Sequence, residues 1–350
     1  MAKSETYWTN RSNKRLETYH RDSNRVILQI SNAYDEAIKE INRDIERMFE
    51  NYAKGNDLTP SKAKRLLNLK IPNPLMEWLK KKLPTVKNEK IKKLIIQHIE
   101  SKAYGARITR LEALKESIYL NLAAVADVEL RESEKLYMST INKAYYLSCY
   151  DIQKGLAIGF NIAAMPTEVI EEILKTNWSG KHYSERVWRN SQVMTNKLEQ
   201  VLLEGVMTGK SYRKLAIDLE EMSEDGVFAA ERLIRTEMTY ISNQAELQAY
   251  KECGIEEYIF VATLDSRTSK PCRKMDRKRV KINEAVVGEN LPPLHPWCRS
   301  TTRIGIDDEV LATMQRRARN QETGQTYLIS GNMGFSNWYR LYTQDKTHRI

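Results

Sequence analysis

Apolar residues recur at Ile27, Ile30, Tyr34, Ala37, Ile41, Ile45, Met48 and Tyr52, in steps of three and four. That spacing marks one face of an α-helix and predicts an amphipathic helix from Arg25 to Tyr52. Gly55 ends the pattern, and Thr59 before Pro60 supplies an N-cap and a first helical residue for a restart. Pro72, Pro74 and Pro84 divide the following stretch into short pieces. From Arg107 to about Tyr150 the helical period returns through Ile108, Leu111, Leu114, Ile118, Leu122, Val125, Leu136, Ile141 and Tyr145. The N-terminal half therefore reads as long antiparallel helices.

The texture changes near Gly159–Pro166. A short helix is expected from Thr167, a turn at Asn177–Lys181, a helix from Val187 to Met207, another from Ser211 to Met222, and a further one from Ala229 to Glu252. Gly254 suits a left-handed C-cap after the last of these. Tyr258–Thr263 is rich in β-branched and aromatic residues and predicts a strand; Arg279–Ile282 is a shorter candidate. The segment Leu264–Ile304 reads as loop-rich. The expected fold class is α+β, with a mostly α-helical N-terminal half of long helices and a C-terminal module of helices plus a small β-sheet. The expected divisions are 1–160, 161–305 and 306–350.

Composition sharpens this picture. With 14 Gly and 9 Pro in 350 residues, long helices are favoured over an all-β or loop-rich chain. No run approaches the roughly 20 apolar residues that cross a bilayer, so no membrane partner is expected. The opening MAKSETYWTNRSNKRLE lacks an apolar core, so no secretory signal is expected. Cys149 and Cys253 fall in helical patterns and read as small core residues.

Charge is unevenly distributed within a formal net of +10. Between Ser61 and Arg110, fourteen Lys and Arg face only Glu77, Glu89 and Glu100. Arg267, Lys270, Arg273, Lys274, Arg277, Lys278, Arg279 and Lys281 form a second cluster opposed by Asp276. Such clusters attract double-stranded DNA through its phosphates without reading sequence, and equally suit a solvated surface. Candidate DNA-contacting residues are Lys62, Lys64, Arg65, Lys80, Lys81, Lys82, Lys92 and Lys93.

Two constellations carry candidate chemistry. Cys272, His295 and Cys298 are soft or borderline ligands for a structural zinc, with Asp265 as a fourth. Pro293 and Pro296 stiffen the His-x-x-Cys turn. The alternative is a proline-locked loop in which Asp265 caps a turn. On the preceding helix, Arg232 and Arg235 share a face, and Glu237 lies close enough to join an ion network with Arg235 or Asp265. An Arg-plus-Glu pair also serves nucleotide-transfer chemistry, but a structural network reaching Arg299 is the simpler expectation. The motifs of P-loop NTPases, α/β-hydrolases and zinc peptidases are missing, so no catalytic residue and no enzymatic activity is expected.

Trp178-Ser179-Gly180-Lys181, Ser184–Trp188, Gly209-Lys210-Ser211 and Arg232–Glu237 occur in that order. They are followed by Gly254-Ile255, Tyr258, Asp265–Thr268, Cys272 and Pro292–Arg299. This succession resembles the phage head morphogenesis proteins, the Mu F-like minor head proteins of tailed phages, in the version found in phages of Gram-positive bacteria. The likeness runs from about Thr167 to Ile304, and Arg316–Arg319 with Thr323-Gly324 is similar to the tail of that group. It implies a low-copy virion protein that associates with the portal inside the head alongside capsid and scaffold proteins. It also implies non-specific contact with DNA during packaging or ejection. Some members carry Cys where this chain has Ser269 and Ser300. An ADP-ribosyltransferase or nuclease-type phage effector, and a host helical nucleic-acid-binding protein, are the competing readings.

Overall fold

The structure is a computed structural model describing residues 5–49, 65, 68, 70–72, 83–86, 89, 91–93, 96, 107–156, 163–208, 210, 212–305, 315–319, 326–330, 337–338 and 340. Helix α1 spans Glu5–Phe49, and strands β1 (Lys70–Pro72) and β2 (Arg107–Thr109) pair antiparallel. They are followed by α2 (Arg110–Leu156), α3 (Thr167–Lys175), α4 (Tyr183–Met207) and α5 (Tyr212–Glu252). Strand β3 (Glu257–Val261), helix α6 (Lys270–Met275), strand β4 (Arg279–Lys281) and strand β5 (Thr301–Ile304) complete the expected small-sheet module. A hairpin of β6 (Gln315–Arg319) and β7 (Thr326–Ser330) lies in the tail, where Arg317 pairs in register with Leu328. The fold class is α+β, as the hydrophobic pattern predicts.

Two differences from the sequence reading are instructive. Helix α1 begins at Glu5, some twenty residues before the expected start, because residues 8–19 bury Trp8, Leu16 and Tyr19 together with Arg15. Helix α5 is continuous where two helices were expected. Gly226 stays inside it, with space for a Cβ already filled by the ring of Tyr34. At the start of α2, Thr109 and Glu112 form a capping box: the Thr109 N–H donates to Glu112 Oε2 at 2.7 Å, and the Glu112 N–H donates to Thr109 Oγ1 at 3.1 Å.

The chain groups into two compact units that interleave along the sequence. One takes in Met1–Asn24, Leu136–His182 and Arg232–Ile350, and the other Arg25–Lys135 and Tyr183–Glu231. The second unit is built on apolar faces of α1, α2, α4 and α5, including Ile30, Ile41, Ile118, Leu198 and Leu219. Glu129 is buried among them, and its Oε1 has no hydrogen-bond partner among the described residues.

The first unit holds the sheet. Strand β3 is central in the order β4-β3-β5, with Tyr258 opposite Val280 on one side and Ile304 on the other. Buried on nearly its whole length, it reads as the continuous apolar run Tyr258–Val261. Gly254, at φ 68, turns the chain from α5 into β3, as the C-cap expectation requires. Arg15 donates to Glu246 Oε1 at 3.0 Å and to Asp151 Oδ2 at 2.5 Å, and Arg11 Nε reaches Asp151 at 2.6 Å. This buried ionic cluster ties α1 to α2 and α5 within the unit.

Candidate functional site

The informative residues converge on the loop between β3 and β5. Asp265, at the turn after β3, accepts from Thr268 Oγ1 at 3.1 Å. Both its carboxylate oxygens also accept from Arg299, one of them at 2.9 Å. Burial alone would raise the Asp265 carboxyl, but the hydrogen bonds and charge of Arg299 hold it below its usual range. Thr263 Oγ1 donates to the Arg299 carbonyl at 2.7 Å, so the two ends of the loop are fastened twice.

Helix α6 is missed by the sequence reading because Pro271 suggests a loop. It starts there since Ser269 caps the helix and proline occupies the first turn, where no intrahelical N–H bond is lost. Cys272 sits in this first turn with its side chain turned inward. His295 and Cys298 come from a turn closed by the Cys298 N–H on the His295 carbonyl at 3.2 Å. Trp297 within that turn has φ 63, a left-handed conformation uncommon for a non-glycine residue. Cys272 Sγ lies 3.3 Å from His295 Nε2 and 3.7 Å from Cys298 Sγ, and the three ligand atoms all fall within 4.8 Å of one another. Asp265, expected as a fourth ligand, is not in this group; its carboxylate belongs to Arg299. Hydrogen bonding from Cys272 outweighs burial and lowers the Cys298 thiol to about 6.

Helix α5 grips the same turn. Thr239 Oγ1 donates to the Cys298 carbonyl at 2.8 Å, and the Trp297 N–H donates to Thr236 Oγ1 at 3.1 Å. Glu237, 4% exposed, accepts from Trp178 Nε1 at 3.1 Å, and Trp178 stacks on Tyr240 with ring centroids 5.2 Å apart. Arg235 donates to the His20 carbonyl and to Ser23 Oγ, each at 2.8 Å, and to Asn24. Arg232 is exposed. The expected network is thus divided. Arg299 pairs with Asp265, whereas Arg235 holds the backbone of α1 and Glu237 holds an indole. No sequence signal assigns Trp178 to Glu237, since they lie on separate elements fifty-nine residues apart.

Of the candidate DNA-contacting residues, Arg65 and Lys93 are exposed, and Lys92 lies 3.5 Å from Glu89. Lys62, Lys64, Lys80, Lys81 and Lys82 lie outside the described residues. In the second basic cluster, Arg267, Lys270, Lys278, Arg279 and Lys281 are exposed.

Within the chain, residues 196–303, which include nearly all of the three-stranded sheet and its doubly fastened loop, match the family described as Phage Mu protein F like protein. The matched stretch contains Arg232, Arg235, Glu237, Asp265, Cys272, His295, Cys298 and Arg299. A curated relative, NAD(+)–arginine ADP-ribosyltransferase EFV of Enterococcus faecalis (strain ATCC 700802 / V583), is 22% identical over 198 residues. The match covers 55% of this chain and 41% of that protein, so the chain spans about two-fifths of the relative's length. No solved structure matches the chain significantly.

Proposed function

We propose that the protein is a minor head component of a tailed phage that sits by the portal inside the head, touches DNA without sequence preference, and performs no turnover. The observation that carries this reading is the Mu F-like match over the residues that build the fastened loop. The exposed cluster Arg267, Lys270, Lys278, Arg279 and Lys281 supports the DNA contact, because closely spaced cations release counterions from phosphate. Co-purification with the phage's portal protein, with copy counting in procapsids and mature heads, tests the placement. Absence from both kinds of particle overturns it. For DNA, affinity should fall steeply with salt. Lys278→Glu with Lys281→Glu should reduce the logarithmic salt slope by about one for each phosphate no longer neutralised.

The similarity to the Enterococcus protein, named as an NAD(+)–arginine ADP-ribosyltransferase, supports a second reading, an arginine-directed ADP-ribosyltransferase. Against it, Glu237 is packed under Trp178, and the cavity beside Cys272 and His295 measures about 20 Å³. A nucleotide needs a cleft of at least about 300 Å³. Consumption of NAD+ by the purified chain, abolished in Glu237→Gln, would establish the transferase in place of the structural role.

A further inference from the structure

Two buried thiols and an imidazole that meet at one point need an explanation beyond packing. Cys272 and Cys298 are 2% and 1% exposed, and both remain thiols. Four-coordinate zinc with Zn–S near 2.3 Å and Zn–N near 2.0–2.1 Å sets tetrahedral edges of about 3.8 Å between two sulfurs and about 3.5 Å between sulfur and nitrogen. The observed separations are 3.7 Å for Cys272 Sγ to Cys298 Sγ and 3.3 Å for Cys272 Sγ to His295 Nε2. These two separations already match edges of such a tetrahedron, and the third pair, His295 with Cys298, lies within 4.8 Å.

The imidazole is oriented for the task. His295 Nδ1 lies 2.7 Å from the Pro296 carbonyl, an acceptor only, so Nδ1 carries the proton. Nε2 is then left with its lone pair directed at the sulfur of Cys272, the tautomer that binds metal. Each ligand is also held from behind. Ser269 caps the turn that bears Cys272, Thr239 holds the Cys298 carbonyl, and Trp297 keeps a left-handed conformation between His295 and Cys298. Backbone strain beside converging side chains is where a ligand-holding role is expected.

We infer that Cys272, His295 and Cys298 bind a zinc ion, with a water as the fourth ligand. The cavity of about 20 Å³ bordered by Cys272, His295, Thr268, Ser269 and Ser300 has room for that one water. Two sulfurs and one imidazole favour zinc over magnesium or calcium, which take oxygen ligands. The metal would close a loop whose ends are twenty-six residues apart, in a stretch where β4 and one 3-10 turn supply most of the regular structure after α6. Its part is structural: it secures the His-x-x-Cys turn on α6 as Thr236 and Thr239 secure it on α5.

The test uses the full chain, purified under reducing conditions without chelators. Elemental analysis should find about one zinc per chain. Cobalt(II) added to the apo-protein should give the thiolate charge-transfer and strong visible bands of a tetrahedral sulfur site. Cys272→Ala, Cys298→Ala and His295→Ala should each lose the metal, while Cys149→Ala and Cys253→Ala retain it. A wild-type chain that carries no zinc and gives no cobalt–thiolate band overturns the inference, as does full retention of metal in Cys272→Ala or Cys298→Ala. Should the alanine variants fail to fold, the wild-type cobalt titration decides alone. None of these outcomes depends on whether the protein reaches the portal.

Discussion

Arg299 holds Asp265 by both oxygens, joining the residue that opens the β3–β5 loop to one that closes it, thirty-four positions later. The pair is unequal in exposure: the Asp265 side chain is buried, whereas that of Arg299 is about a third open to solvent. Removing the guanidinium leaves a carboxylate that water reaches poorly. A fully buried pair broken this way costs about 3–5 kcal/mol, and the exposure of Arg299 reduces the expectation to roughly 1–3 kcal/mol. Arg299→Ala should lower the midpoint of chemical denaturation accordingly. Asp265→Asn combined with Arg299→Ala should recover part of the loss, and a double variant no better than the single would sink the pairing argument.

Glu129 makes a prediction of opposite sign. Desolvation raises its carboxyl from 4.5 to about 8. The folded state then holds a proton that the unfolded chain releases, so stability falls as pH rises from 4.5 toward 8. At pH 7 the penalty is at most about 3 kcal/mol. Glu129→Gln should therefore stabilise the protein at neutral pH and have little effect near pH 4, read as denaturation midpoints across that range.

His20 gives the acid limb. Burial first, then the charges of Arg235 and Arg299, lower it from 6.5 to about 4, and neither ring nitrogen has a hydrogen-bond partner among the described residues. The unfolded chain binds a proton here that the folded protein refuses. Stability is complete above pH 6.5 and declines as pH falls toward 4, by up to about 3 kcal/mol. In His20→Gln that decline should shrink, and an unchanged acid profile would remove His20 as its cause.

Glycines within helices separate two kinds of close approach. A Cβ on Gly226 would lie 2.6 Å from Tyr34 Cε1, in a ring that cannot bend away. A Cβ on Gly205 would lie 2.6 Å from Leu215 Cδ1, the far end of a flexible side chain. Replacing glycine by alanine gains up to about 1 kcal/mol of helix propensity, whereas overpacking costs about 1–3 kcal/mol. Gly226→Ala should thus destabilise, and Gly205→Ala should come out near neutral in thermal melts.

The helices with a clean apolar period were legible in the sequence: Ile27 to Met48 on α1 and Leu111 to Tyr145 on α2 fall within the helices that the spacing predicts. The first turns of α1 were not, since Arg11 and Arg15 occupy positions satisfied by Asp151 and Glu246 from other helices. A local pattern cannot disclose a polar residue whose partner is more than a hundred positions away. Strand β5 was hidden for a related reason: Thr301, Thr302 and Arg303 look like surface residues but are buried against β3. The grouping of Cys272, His295 and Cys298 was visible from residue type and spacing, while the diversion of Asp265 to Arg299 required the fold.

Thr236 and Thr239 stand three residues apart on α5, and each holds one residue of the Trp297–Cys298 pair. Helical geometry advances about 100° per residue. One amino acid inserted between these threonines would swing one of them to the flank of the helix and release its end of the turn. Drift in side-chain identity is tolerable along much of this helix, but length is not. Evolution or engineering can repaint the segment far more readily than it can lengthen it.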